Sequence, residues 1–151
     1  MHLRFSTVCA DAQSLPDGTM DIHGVFHDLA APGFPAMQDR LVLVLVLEWD
    51  REDHGRYLFR VDLEDEDGKP SLTVEGETEV HRPGPDQPPA RSPLIMPVQD
   101  VIFPHPGQYT FRVKVKGAIL EGPGIYLREV EEGVMSAEPP AGIPGDGPAE
   151  A

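Results

Sequence analysis

Apolar and polar positions alternate with a period of two along most of this chain. Leu3, Phe5, Thr7 and Cys9 alternate with His2, Arg4 and Ser6, which predicts a first strand with that odd-numbered face in a core. Leu15-Pro16-Asp17-Gly18 is a turn signal, because Pro presets φ and Gly accepts positive φ. A second strand is predicted from Thr19 to about His27, with Met20, Ile22 and Phe26 on one face and Gly24 there marking a bulge or a close neighbouring backbone. Leu29 to Arg40 reads as a loop whose prolines, Pro32 and Pro35, prevent a long helix, and Phe34 is expected to plug it against the core.

The pattern changes at Leu41-Val-Leu-Val-Leu-Val-Leu-Glu-Trp49, where seven apolar residues run without interruption. The run is too short to span a bilayer and too rich in valine for a soluble helix. It predicts a central strand with Leu41, Leu43, Leu45, Leu47 and Trp49 facing the core and Val42, Val44, Val46 and Glu48 on the opposite face. Tyr57 to Glu64 alternates cleanly and makes a fourth strand, followed by a hairpin loop with Asp67-Gly68 turn chemistry. In Ser71 to Val80 one face carries Glu75, Glu77 and Glu79, a row of like charge that predicts a sheet edge.

Five prolines between His81 and Pro93 predict an extended connection between sheets. Leu94 to Phe103 resumes strand character, with Pro97 marking it as short, irregular or at an edge. Tyr109, Phe111, Val113 and Val115 alternate with Thr110, Arg112, Lys114 and Lys116. A turn at Gly117 then leads to a last strand that Gly122-Pro123-Gly124 should break or bulge.

Seven or eight such strands with regular turns predict an all-β fold, an antiparallel immunoglobulin-like β-sandwich over residues 1–130. Gly107-Gln108-Tyr109 matches a tyrosine corner, in which the hydroxyl bonds a nearby backbone group, although Tyr109 simply packed in the core fits as well. Residues 131–151, rich in Pro, Gly, Ala and Glu, lack the apolar surface to offset ordering entropy and are expected to be a disordered tail.

Charge narrows the partners. The chain has 151 residues, 26 acidic against 12 basic, a formal net charge of −14. That argues against nucleic acid and against anionic membrane surfaces. A single cysteine, Cys9, excludes an intramolecular disulfide. With no secretory signal in Met1 to Asp11 and no membrane-spanning run, a cytoplasmic location is expected.

Catalytic motifs are absent from the sequence: there is no phosphate loop, no Gly-x-Ser-x-Gly and no dinucleotide fingerprint. His23 and His27 would lie about 13 Å apart on a strand at ~3.3 Å per residue, too far to share one zinc with bonds of ~2 Å. The acidic loop Asp62 to Asp67 lacks EF-hand spacing, leaving weak calcium binding as an open alternative to a solvated hairpin tip. Cys9, on a core face, would be inert as a nucleophile without a base beside it. No cofactor is implied.

Several short motifs in order carry a resemblance: Cys9-Ala10-Asp11, Gly24-Val25-Phe26-His27-Asp28, Phe34-Pro35, the apolar central strand, Asp67-Gly68, then Phe103-Pro104 with Gly107-Gln108-Tyr109-Thr110-Phe111. Over roughly residues 3–130 the chain resembles a family of small bacterial proteins with an uncharacterised domain. The resemblance implies a β-sandwich and carries no catalytic residue. The long proline-rich connection and the extended tail depart from the family pattern.

The feature above background is the second face of the central strand. Val42, Val44 and Val46 would each gain about 1.5–2 kcal/mol from being covered, and the outer face of a two-layer sandwich is ordinarily wet. The cover is the Leu29 to Met37 loop, the tail, a second copy or a protein partner. The chain is therefore expected to be a non-catalytic binding or assembly module, with Val42, Val44 and Val46 as the candidate interface for a protein partner or homo-oligomer. The competing reading is an enzyme or metal-dependent ligand binder with a loop-built site, for which His27 with Asp28 and His105 with Asp100 are the pairs of interest.

Overall fold

A computed structural model describes residues 1–131. The expected tail, 131–151, lies outside the described residues except for Glu131. Nine strands are present among the described residues and no helix. They are β1 (His2–Ser14), β2 (Met20–Val25), β3 (Asp28–Ala31), β4 (Ala36–Glu48), β5 (Gly55–Glu64), β6 (Pro70–Val80), β7 (Arg91–Phe103), β8 (Gly107–Val115) and β9 (Ala118–Glu129). One sheet has the order β2-β1-β4-β7 and the other β3-β9-β8-β5-β6.

The apolar run is an interior strand, as its pattern predicts. β4 lies between β1 and β7, and Leu41, Leu43, Leu45 and Leu47 are buried in the main core together with Trp49. They face Phe59, Val61 and Leu63 of β5 and Tyr109, Phe111, Val113 and Val115 of β8 across the two layers. Trp49 closes one end. Its ring stacks on Tyr57 with centroids 4.6 Å apart, and its indole N–H donates to the Ser92 hydroxyl at 2.9 Å. β6 and β7 are edge strands, where a row of glutamates and two prolines are tolerated. β7 is nevertheless long, and Pro97 sits within it opposite Val42. The proline-rich connection passes between the sheets, and Arg51 donates to the carbonyls of Gln87 and Gly84, both at 2.8 Å.

Three sequence expectations need correction. The first concerns β1. Leu3 pairs with Leu47, but Phe5 pairs with Val46, so Arg4 is an extra residue in a β-bulge. Beyond it the faces exchange: Val8 turns into the main core, 1% exposed, while Phe5, Thr7 and Cys9 lie on the outer face beside the valines. A simple period of two cannot show an inserted residue.

The second concerns β2. Met20 and Ile22 do not share a core with Phe26. They join Cys9, Val42 and Val44, whereas Phe26 belongs to the main core. Between them Gly24 takes φ of +68°, a backbone open to glycine, and the chain leaves one sheet for the other. The third is the Leu29 to Arg40 loop. Asp28–Ala31 is a strand, parallel to β9, and β4 begins at Ala36, so the loop is short. Three buried residues in succession, Leu29, Ala30 and Ala31, do not alternate and so hid the strand. Phe34 does pack against the core.

Candidate functional site

The outer face of β4 is built in rows. Cys9, Val42 and Pro97 form one, Thr7, Val44 and Ile95 the next, Phe5, Val46 and Pro93 the third, and His2, Glu48 and Arg91 the last. In the first two rows Cys9, Thr7, Val42 and Val44 are sealed, while Ile95 is half-buried and Pro97 exposed. Ala12, Met20 and Ile22, from the far halves of β1 and β2, fold back over Cys9, Val42 and Val44, and the two valines are 0% exposed. The cover is thus the chain's own β1–β2 hairpin, not the Leu29 to Met37 loop. Val42 and Val44 are out of reach of any partner, and only Val46 of the three keeps access to solvent.

Cys9 is buried in this second core. Its Sγ lies 3.4 Å from the Asp11 carbonyl and 3.6 Å from that of Val42. Burial pushes the thiol pKa up, which keeps it protonated and unreactive. The sequence placed it beside Leu3 and Phe5 in the main core; the bulge moves it to the other side of the sheet.

Where the hairpin tip ends, a groove of about 480 Å³ opens between Ser14, Gly18, Thr19 and Met20 above and Val46, Pro93 and Arg91 below. Phe5, 43% exposed, stands opposite Val46. The last row borders this apolar surface with charge. Arg91 Nε donates to Glu48 Oε2 at 2.8 Å, and Arg4 Nη1 donates to the same oxygen at 3.5 Å. His2 Nε2 lies 3.3 Å from Glu48 Oε1. The Arg91 hydrogen bond, with the Arg4 charge, holds the Glu48 carboxyl below its ordinary value against the opposing effect of burial.

The other residues singled out in the sequence are scattered. His23 lies on β2 and His27 in the crossover after it, both exposed. No group of three metal-ligating side chains exists among the described residues. His105 is partnered by Asp65 and not by Asp100, its Nε2 lying 3.1 Å from Asp65 Oδ2. In the acidic loop Asp62, Glu64 and Asp65 already have partners. Asp65 Oδ1 accepts the N–H groups of Asp67 and Lys69, each at 2.9 Å. Asp62 is 1% exposed and accepts from Lys114 Nζ at 2.7 Å, Thr73 Oγ1 at 2.6 Å and Arg60 Nε at 3.1 Å. Neither the Glu48 cluster nor the Asp62 cluster was visible beforehand, because each joins side chains from three strands. The tyrosine-corner hydrogen bond is present: Tyr109 donates its hydroxyl proton to the His105 carbonyl at 2.7 Å and accepts the His105 N–H at 3.2 Å.

Two facing sheets, with a hairpin folded over the outside of one, define an all-β domain whose one strand is buried on both faces. The chain belongs to the family of unknown function DUF6941, whose model matches residues 4–127. A comparison with curated proteins gives no match. No helix among the described residues is long and apolar enough to cross a membrane.

Proposed function

We propose that this chain is a cytoplasmic, bacterial, non-catalytic binding or assembly module of immunoglobulin-like type, docking a protein partner or a second copy through the outer face of β4. The observation that carries this reading is the local exposure of Phe5 and Val46. They lie side by side on a sheet face whose Val42 and Val44 are sealed by the hairpin, next to the open groove and a charged rim. An apolar centre with a polar border is the usual anatomy of a docking surface. The tyrosine-corner hydrogen bond at Tyr109 supports the immunoglobulin-like assignment. The buried thiol of Cys9 and the engaged carboxylates of Asp62 and Asp65 support the non-catalytic one.

Phe5→Glu with Val46→Glu is the variant that tests this. Solution mass by light scattering over a concentration series, and affinity capture from the native host, are measured for both proteins. Wild-type protein is expected to show either a concentration-dependent mass or a retained partner that the double variant loses. An identical mass and identical captured proteins in the two cases would remove the docking surface.

A further inference from the structure

The groove beneath the hairpin tip has the size and lining of a small-molecule site. Ligand pockets run to roughly 300–1,000 Å³, mostly apolar with a few polar groups that set orientation. This one, at about 480 Å³, has Met20, Val46 and Pro93 as apolar wall and Arg91 as its charged group. Arg91 engages Glu48 through Nε alone, and its two Nη groups make no hydrogen bond to the described residues. A guanidinium left in that state has the fork that matches a carboxylate.

Local charge points the same way. Around Glu48 two guanidinium groups share a single carboxylate. Asp17 of the hairpin tip, which accepts the Thr19 N–H at 3.0 Å and hydroxyl at 2.6 Å, keeps its negative charge, so the anion's head belongs on Arg91 and not at the tip. Asp50 is likewise bound by the Met1 amine and Lys116. The net charge of −14 repels anions at long range, but screening over about 8 Å at physiological salt leaves the near groups in control. An added peptide strand is disfavoured at this place, since Pro93 and Pro97 remove N–H donors from the β7 edge.

We infer that the groove between the β1–β2 hairpin tip and the Val46–Pro93 row binds a small aliphatic carboxylate, its chain against Met20, Val46 and Pro93 and its head on Arg91. This reading does not depend on protein docking at Phe5 and Val46, and purified protein tests it alone.

Octanoate, butyrate and octylammonium are titrated into the full chain at 0.15 M salt, followed by amide chemical shifts. Octanoate is expected to give saturable shifts centred on Thr19, Met20 and Val46. Butyrate should bind at least about tenfold more weakly, because each lost methylene removes part of the apolar gain. Octylammonium should not saturate. Arg91→Gln should weaken octanoate about tenfold, and Val46→Phe, which fills the groove while staying apolar, should block it in a folded protein. No saturable octanoate shift, equal binding of octylammonium, or unchanged affinity in Arg91→Gln would each overturn the inference. Identical mass and identical captured proteins for wild type and the Phe5→Glu, Val46→Glu variant, with octanoate binding to the wild type intact, would sink only the docking reading.

Discussion

Phe5 stands directly opposite Val46 across the β1–β4 ladder, one residue beyond the bulge at Arg4. That single insertion decides which half of β1 faces which core. It places Val8 inside at 1% exposure and leaves Phe5 at 43%. Phe5→Ser should therefore change the urea midpoint little, whereas Val8→Ala should cost about 2 kcal/mol of stability. Equilibrium denaturation of both variants checks the order; the reverse order would place the bulge wrongly.

Val44 and Val46 are two residues apart on one face, yet they differ in cover. Val44→Glu would bury an unpaired charge under the hairpin and should cost more than about 3 kcal/mol. Val46→Glu, at the open end, should leave the protein folded. Thermal melts followed by circular dichroism separate the two cases, and equal melting temperatures would contradict the hairpin cover.

Gly76 of β6 lies under the ring of Phe59, its register partner on β5. A Cβ built on Gly76 would come within 2.7 Å of Phe59 Cζ. Gly76→Ala should displace that ring from the core and cost about 1–3 kcal/mol. Gly76→Ala combined with Phe59→Leu should lose less than the sum of the single variants, a coupling that a double-mutant cycle in urea measures.

Asp62 reports on the outer face of the second sheet. Burial acts to raise its pKa, but the hydrogen bonds from Lys114, Thr73 and Arg60 outweigh it and bring the value down to about 2. The folded value lies below the unfolded one, so this stabilisation is present above about pH 4 and is lost as pH falls towards 2. It amounts to at most about 2 kcal/mol. Asp62→Asn should therefore flatten the difference in stability between pH 4 and 2, measured as urea midpoints against wild type.

His105 links the β7–β8 turn to the β5–β6 turn. Its Nδ1 hydrogen bond to the Pro106 carbonyl and its Nε2 contact with Asp65 both favour the imidazolium, and its pKa is raised above 6.5. The sign is opposite to that of Asp62: the contribution is complete below about pH 6.5 and disappears as pH rises through the folded value. His105→Gln should remove that slope. An NMR titration showing a His105 pKa at or below 6.5 would refute the link.

Much of the fold is legible along the chain because a strand with one wet face writes its orientation in alternation. The leucine face of β4, the β5 and β8 cores and the glutamate-marked edge at β6 follow from that period, and the Asp67-Gly68 hairpin from its turn chemistry. The candidate site was legible only in part. Val42, Val44 and Val46 announce that something covers them, but the covering residues, Ala12, Met20 and Ile22, stand 20 or more positions away, and the alternation of Met20 and Ile22 does not say which face they cover.

By itself the sequence determined an all-β chain, strongly acidic, with a strand apolar on both faces, because local side-chain periodicity and composition carry that information. Only the tertiary structure decided which valine remains open, which side of the sheet holds Cys9, and that Arg91, Arg4 and His2 meet on Glu48. Those outcomes rest on one bulge, one glycine at positive φ and the path of a hairpin back over its own sheet. A single inserted residue exchanges the two faces of a strand while leaving its composition untouched, so no local pattern records it.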